Sequence, residues 1–533
     1  MTAGTITPYR SAQTPNSDGF WQLMRAEWTK FRTVRGWMIA VVLAAVLIDV
    51  FGLLVVRPHV QCGSGGGASC LPRVPIGPGG EAVNDSFYFV RQPLAGNGSI
   101  TARVVSLTGR TERGGGLVKR GQQQGGMAAD LAPWAKAGVI ITASTRQGAA
   151  YAAMLVTGSH GVRMQYNYTQ DLAGLPGKVS AESPRWLRLT RSGDTITGYD
   201  SADGSHWIRV GTAYLGGLTG PVLVGMFVTS PFDFTPNLST YAESGGSLSP
   251  SLATGVLDHV SLRGGQPGGQ WGGTEVGPGG PVYPGPGNGF HQAGGQFTVT
   301  GSGDIGPVVS GGVNTSYDTE TIAIHLLGVF LGLVVMVVVA AMFITVEYRR
   351  GLIRTTLTAS PRRGRLLAAK ALVTGLVTFV FGSAAVALAV IAGIRVSQDG
   401  GQYILPVSAL IDLRVIAGTG AMLALASVLA LSIGAIVRRS VAAVAAVIVA
   451  ILVPYLVGVT GVLPATAAEW VLRLTPAAGF AIEQSVPQYQ QVIGQYAPPD
   501  YFPLGPWAGL AVLCGYAAAA LGLAAYLLRR RDA

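Results

Sequence analysis

The sequence predicts an α-helical membrane bundle of six transmembrane helices with an all-β sandwich inserted between helices 1 and 2. Six apolar stretches are long enough to cross about 30 Å of hydrocarbon as helix. The charged fraction is only 12%, against about 25% in soluble proteins. The 533-residue chain also contains 76 glycines and 30 prolines, unevenly spread. These features exclude a disordered chain, a coiled coil and a single soluble domain.

The N-terminal region precedes the first apolar stretch. Residues 1–19 are predicted to be a flexible polar tail, and residues 20–35 an amphipathic helix with an aromatic and a cationic face. The aromatic face contains Phe20, Trp21, Met24, Trp28 and Phe31, and the cationic face Arg25, Thr29 and Arg32. Such a helix suits the cytoplasmic headgroup layer of a membrane, with packing against a protein partner as the alternative.

The predicted spans are residues 36–56, 321–345, 366–394, 408–437, 440–463 and 506–528. Lys and Arg cluster before span 1, in the segment after span 2 from Arg349 to Lys370 (the connector 346–365 and the start of span 3), between spans 4 and 5, and in the tail 529–533. Cytoplasmic flanks are enriched in these residues. We therefore expect a multi-pass plasma-membrane protein with cytoplasmic N- and C-termini and residues 57–320 extracytoplasmic. The net charge of +11 then reflects topology, and no nucleic-acid partner is expected.

Residues 57–263 predict the sandwich, because short strands of period-two alternation are separated by Gly, Asn and Asp turns. The predicted strands include 138–144, 151–157, 162–168, 186–191, 195–199, 207–210, 222–229 and 256–262. Cys62 and Cys70 are disulfide candidates on the exported side, with two free thiols as the alternative. Residues 264–320 are rich in Gly and Pro and predict a flexible linker followed by a return segment.

The sequence contains few residues that suggest catalysis or metal binding. No P-loop, nucleophile elbow or zincin motif occurs, and the six histidines are scattered, so no catalytic residue, metal site or cofactor is predicted. Ionisable residues inside spans are functional candidates. Asp49 is the candidate for a transport path. His325, Asp412 and Arg414 lie near the outer boundary, where we expect snorkelling or interfacial contacts.

Two motifs resemble one family. The connector contains E-Y-R-x-G-x-I-R-T-T-L-x-x-S-P-R-R at Glu347–Arg363, is followed by L-L-A-A-K at 366–370, and is compatible with helix up to Ser360. The N-terminal helix contains R-A-E-W-T-K-F-R-T-V-R-G-W at Arg25–Trp37. Both resemble type-2 ABC exporter permeases, over residues 20–56 and 321–533.

This resemblance implies a subunit that forms a homodimer or pairs with a second permease. It also implies docking to separate cytoplasmic ABC ATPase subunits, which would hold ATP and Mg. Residues 464–505 would then form an outer loop with short helices. The ATPase-coupling residues it implies are Glu347, Tyr348, Arg349, Arg350, Gly351, Arg354, Arg25, Glu27 and Lys30.

The insert has a second resemblance. Trp134–Gly138 and Trp186–Trp207 resemble concanavalin-like, or laminin-G-like, sandwiches, which implies a glycan or cell-wall ligand. We expect Trp134, Trp186 and Trp207 themselves to be core aromatics. Two alternatives stay open at this point: a membrane-anchored glycan-binding or sensory protein without transport, and a membrane enzyme acting on cell-wall polymers.

Overall fold

Helices and strands occupy separate stretches of the chain. The computed structural model describes residues 19–54, 74–112, 127–216, 218, 220–236, 246–264, 269–277, 287–309, 319–351, 363–399, 403–459, 462–487, 489–492 and 502–530. Its α-helices are α1 Phe20–Thr33, α2 Arg35–Leu54, α3 Val329–Arg349, α4 Arg363–Asp399, α5 Ala409–Val437, α6 Ser440–Val459, α7 Ala465–Leu474 and α8 Pro506–Arg530. Short 3₁₀ turns lie at Ile322–Leu326, Pro476–Glu483 and Gln490–Val492.

Six helical segments in the described chain are long and apolar enough to cross a membrane. They are α2, Ile322–Arg349 (which includes α3), α4, α5, α6 and α8. The predicted helical bundle is thus confirmed. The third span was placed at 366–394, but α4 runs from Arg363 to Asp399, because polar residues beyond the apolar stretch continue the same helix.

The insert is built from strands. They are β1 Val83–Asp85, β2 Phe87–Leu94, β3 Gly98–Glu112, β4 Met127–Ala129, β5 Lys136–Thr142, β6 Tyr151–Thr157, β7 Val162–Tyr166, β8 Gln170–Ala173, β9 Arg185–Ser192, β10 Thr195–Ser201, β11 Ile208–Tyr214, β12 Val222–Thr229, β13 Asp233–Pro236, β14 Gly246–Ser249, β15 Ser251–Arg263, β16 Gly272–Val276, β17 Gly289–Ala293, β18 Gln296–Gly301, β19 Ile305–Pro307 and β20 Thr319–Glu320, with β21 Tyr403–Ile404 between α4 and α5.

Two large antiparallel sheets form the predicted sandwich. Sheet A has the order β16-β2-β12-β5-β6-β7-β8, and sheet B the order β11-β10-β9-β3-β15-β18-β17, with β4 beside β3. Alternate residues of both sheets, such as Val139, Met154, Leu187 and Leu189, form a fully buried core between them. The period-two pattern of the sequence fixes this arrangement, because successive side chains of a strand point to opposite faces.

The centre of sheet A is buried on both faces. Ile140, Tyr151 and Phe227 point away from sheet B and form a second apolar cluster with Val83 of β1 and Ile305 of β19. Strands β5 and β6 are consequently buried at every residue. This explains their nearly continuous apolar sequence, which is typical of strands covered on both sides.

The domain boundary predicted at residue 263 is wrong. Strand β16 pairs with β2 in sheet A, and β17 and β18 extend sheet B from β15. Much of 264–320 therefore belongs to the sandwich instead of forming a linker. Although this region is rich in Gly, it contains short runs of alternating apolar and polar residues. One of them is Phe297-Thr-Val299, whose two apolar side chains lie in the core.

The sandwich is mounted on one end of the helix bundle, which we call the outer end; the opposite end is called the inner end. Val308 and Val309 pack with Leu405 and Val486 from the loops that follow α4 and α7. Strand β20 pairs with β21 in parallel. The Gln491 side-chain amide also donates a hydrogen bond to the Tyr168 carbonyl of the sandwich. Apolar and polar contacts together join the two parts.

Buried polar groups lie beneath sheet A next to this junction. The Lys136 ammonium, fully buried, donates to Asp304 Oδ1 at 2.8 Å and to the Ile305 carbonyl at 2.6 Å. The Asp85 carboxyl accepts hydrogen bonds from Tyr168 Oη at 2.7 Å and Gly148 N at 2.9 Å. Burial nevertheless raises the pKa of Asp85 to about 7.

We predict that this carboxyl makes the sandwich less stable as pH rises. Because its folded-state pKa exceeds the ordinary value of 3.8, the folded state holds an extra proton between those two values. Stability should fall across this interval, by up to about 1.4 kcal/mol per pH unit. Hydrogen exchange of the β1 and β19 amides in the full chain, from pH 4 to 8, measures this slope.

Asp85→Asn should flatten the slope, because the amide does not titrate. Asp258→Asn is the matched control: the hydrogen bond from Arg103 lowers the pKa of Asp258, which places its titration below this interval. An equal slope in wild type and Asp85→Asn would contradict the assignment.

Candidate functional site

Helix α1 lies against the inner end of the bundle. Its Glu27 and Phe31 are buried, whereas the Trp21 side chain is 79% exposed. A single extended residue, Val34, separates α1 from α2, so the helix is interrupted there. The aromatic face expected from the sequence is thus divided between burial against the bundle and exposure beside α4.

Four charged side chains meet where α1 contacts the bundle. The Lys370 ammonium of α4 donates to Glu27 Oε2 at 2.6 Å and to Glu347 Oε1 at 2.7 Å. Lys30 donates to Glu27 Oε1 at 2.7 Å and lies 3.5 Å from Glu347 Oε1. We call Glu27, Lys30, Glu347 and Lys370 the inner charge network. It joins α1, the end of α3 and the start of α4.

The network is neutral overall and largely dry. Lys370 and Glu27 are fully buried and Glu347 is 8% exposed, so each charge depends on its partners for the stabilisation that water would give. Burial lowers the pKa of the Lys30 ammonium, but the hydrogen bond and charge of Glu27 and the charge of Glu347 outweigh this effect and leave that pKa raised. Lys30 therefore stays charged at neutral pH.

Aromatic rings lie beside the network, where α3 continues into the bundle. Phe343 of α3 lies 4.3 Å from the Lys370 ammonium. Its ring also makes edge contacts with Phe31 at 5.4 Å and Trp37 at 5.0 Å. A cation over an aromatic face is attracted to it, so these rings stabilise the lysine while excluding water.

The connector begins where helix α3 ends, close to Glu347 of the network. Helix α3 stops at Arg349, the Arg350 amide donates to the Val346 carbonyl, and Gly351 adopts a left-handed backbone with φ of 69°. A glycine in this conformation commonly ends helices. Helix α3 therefore ends before Gly351, and the rest of the stretch expected to be compatible with helix up to Ser360 lies outside the described residues. Arg349 and Arg350 are exposed.

Other inner helix ends lie close to the connector. Arg438, at the turn between α5 and α6, places its guanidinium 5.0 Å from the Tyr348 ring. It occupies a left-handed conformation with φ of 61° that non-glycine residues adopt only at a cost. Arg363 at the start of α4 donates to the Leu528 carbonyl at 2.8 Å. The inner surface is thus cationic across several helices.

The remaining predicted site residues lie elsewhere. Arg25 is exposed on α1, in an apolar groove of about 360 Å³ that Trp21, Trp28 and residues of α4 line. Asp49 lies in the outer half of α2, away from the network, with its Oδ1 buried and without a hydrogen-bond partner among the described residues. Arg354, Cys62 and Cys70 lie outside the described residues.

The sequence prediction missed Lys370, the centre of the network. Its signal was present: it lies inside the predicted span 366–394, where an ionisable side chain is expensive without a partner. It was instead counted with the positive charges that mark the cytoplasmic side. Glu27, Lys30 and Glu347 were predicted separately, and the structure brings them together around this lysine.

Fold and site together define a multi-pass membrane protein whose cationic inner surface is joined to an amphipathic helix. A sequence model of the family described as ABC-2 family transporter protein matches residues 140–533. Because this match spans well over half of the chain, the protein belongs to that family. It is a membrane permease subunit of an ABC transporter, a class that pairs with an ATPase subunit.

The chain has low similarity to individual proteins. No curated protein matches the chain. A functionally unknown protein from Saccharomyces cerevisiae is 15% identical, covers 36% of this chain and 83% of its own, and has a TM-score of 0.21. Scytalido-glutamic peptidase is 7% identical, covers 43% and 100%, and scores 0.25. SCP-B of the eqolisin family is 8% identical, covers 42% and 100%, and scores 0.22. These scores support no functional conclusion.

We predict that Lys370→Met destabilises the protein strongly, by about 3–5 kcal/mol, because it leaves two carboxylates without their buried cation. Lys30→Met should cost about 1 kcal/mol or less, since Lys30 is 40% exposed and partly solvated. Denaturant unfolding in detergent, followed by helical circular dichroism, measures the difference. Adding Glu27→Gln to Lys370→Met should recover part of the loss. Equal, small effects of both lysine substitutions would contradict a buried network.

Proposed function

We propose that this chain is the permease subunit of an ABC exporter whose ATPase docks against α1 and the connector that follows α3. The inner charge network is the observation that supports this proposal. It ties the two cytoplasmic segments that the family resemblance assigns to ATPase contact into one buried unit. Export is the direction that the resemblance implies, and the transported substrate is left open.

The proposed coupling is mechanical. Arg25, Arg349 and Arg350 provide exposed cations for a partner surface, and the network lies directly behind them. A displacement of α1 by the ATPase would move the inner ends of α3 and α4 with it, because separating them would strand buried charges. ATP hydrolysis would in this way bias a bundle with two arrangements, in a homodimer or a paired permease.

Orientation follows from charge. The cationic ends of α3, α5 and α8 favour the cytoplasmic side, which would place both termini inside and the sandwich outside. A path for substrate would then lie between two copies of the bundle. Asp49 is our candidate on this path, because a carboxylate within a span is energetically costly and such residues commonly mark a substrate path.

The sandwich is proposed to bind a glycan or cell-wall polymer through the outer face of sheet B. Trp186 and Trp207 are half-buried on this face, so the expectation that they are core aromatics is wrong, whereas Trp134 is buried. The Arg188 guanidinium lies 3.7 Å from the Trp207 ring, and Arg103 pairs with Asp258 at 2.6 Å. Apolar rings beside polar groups suit a sugar, which presents both kinds of surface.

The docking proposal is tested by charge reversal. Arg349→Glu together with Arg354→Glu should lower the yield of ATPase that co-purifies with the tagged chain by roughly tenfold or more, since two charge-assisted contacts would turn repulsive. Arg395→Glu, an exposed arginine at the outer end of α4, is the matched control. Unchanged co-purification at normal expression would count against the connector as docking surface.

Polymer binding is tested separately. Trp207→Ala and Arg188→Ala should each reduce retention of the full chain on insoluble cell-wall polymer by roughly fivefold or more, because each removes one layer of the stacked pair. Tyr214→Ala changes a 72% exposed aromatic at the end of β11 opposite Trp207, away from the Trp207–Arg188 pair, and should leave retention unchanged. Equal retention by all three variants would refute this face as the binding surface.

A further inference from the structure

A second cavity lies at the opposite, outer end of the bundle. It has a volume of about 310 Å³ and lies between Ile411 and Arg414 of α5, the segment Gln484–Pro487 and the segment Phe502–Pro506 that leads into α8. Pro487 and Gly505 are exposed, so the cavity opens at the surface. Small-molecule sites begin at about this size. One wall, Val486, belongs to the apolar cluster that joins the sandwich to the bundle.

Arg414 supplies the charge of this cavity. One terminal nitrogen of its guanidinium donates to the Gln484 carbonyl, which fixes the side chain, while its Nε is buried and has no hydrogen-bond partner among the described residues. No described carboxylate lies within ion-pair distance of Arg414. The cavity therefore contains a positioned cation that retains donor capacity.

Ser485 adds a polar group that also lacks a partner. Its side chain is 3% exposed, and its Oγ makes no hydrogen bond with a described residue. A buried hydroxyl without a partner is costly, and here it lines the cavity beside Arg414. The start of α8 at Pro506 contributes the positive end of a 25-residue helix, which also favours an anion.

The rest of the lining is apolar. Phe502, Leu504 and Val486 contribute hydrocarbon surface, and Arg414 carries the only charge among the described residues that line the cavity. The nearest acids in sequence are Asp412 and Glu483, and neither lines it. Such a site fits a ligand with an anionic head and a short apolar group.

We propose that this cavity binds an oxyanion, a phosphate or carboxylate, carried on an apolar group. Arg414 would hold the oxyanion through its guanidinium, and the Ser485 hydroxyl would donate a hydrogen bond to an oxygen of the anion. Phe502 and Leu504 would cover the apolar part. The ligand is either the headgroup of an anionic lipid or a soluble amphipathic anion. This site is independent of ATPase docking.

Two measurements on the purified full chain in phosphatidylcholine nanodiscs separate these sources. Titration calorimetry with butyl phosphate, inorganic phosphate and butanol reports a soluble anion. Native mass spectrometry, after reconstitution with added phosphatidylglycerol, reports retained anionic lipid. Butyl phosphate should bind more tightly than either of its parts, because it engages both the cation and the apolar wall.

Arg414→Gln should weaken binding of the probe about tenfold or more, and Ser485→Ala about threefold, because they remove a charged and a neutral hydrogen bond respectively. Arg395→Gln, at the same end of the bundle, should change nothing. Phosphatidylglycerol retention that depends on Arg414 identifies a lipid ligand. Butyl phosphate binding that depends on Arg414, without retention of phosphatidylglycerol, identifies a soluble ligand.

Absence of binding in both measurements, or binding that Arg414→Gln leaves unchanged, overturns the proposal. Arg414 also holds the Gln484 carbonyl, so thermal unfolding must first show that Arg414→Gln is folded. If it is not, Ser485→Ala decides: a loss of affinity of roughly threefold supports the site, and unchanged affinity refutes it.

Discussion

A lysine buried between two carboxylates sets the arrangement of the inner end of this permease. Lys370 contacts Glu27 of α1 and Glu347 of α3 at 2.6 and 2.7 Å, and all three side chains are buried, so each depends on its partner for stabilisation. Helix α1 is therefore tied to the bundle by more than its amphipathic face. The paired charges contribute a specific geometry, and the Phe343 ring over the ammonium shields it from solvent. The exposed arginines of the proposed docking surface, Arg25, Arg349 and Arg350, lie within three residues of the network carboxylates Glu27 and Glu347 in sequence.

A different constraint acts at the outer end. The apolar centre of sheet A needs cover on both faces, and the face turned from sheet B is covered there by β1, β19 and the buried Lys136–Asp304 pair. Gln491 reaches this layer from the loop before α8. The sandwich is thus attached through packing and hydrogen bonds as well as through the chain itself. A ligand on the sandwich and a ligand in the Arg414 cavity would both act close to this junction.

Much of this fold follows from periodicity. Six spans and most strands of the sandwich can be read from apolar runs and two-residue alternation, because these patterns reflect burial directly. Sequence reasoning failed where three-dimensional neighbours decide. Lys370 was interpreted as a marker of the cytoplasmic side, because the two carboxylates that contact it lie far away in sequence. Strands β16–β18 were not predicted, because their short alternating runs lie in a glycine-rich region. Trp186 and Trp207 were expected in the core because alternation alone does not say which face of a sheet is covered.

The most direct test of this account maps where the ATPase touches the permease. A photo-crosslinking amino acid placed at Arg25, at Arg350 or, as an outer control, at Trp470 would be activated in native membranes, and the adducts identified by mass spectrometry. We predict a P-loop ATPase adduct from Arg25 and Arg350 and none from Trp470. Expression at normal levels without an ATPase adduct from either inner position would contradict it.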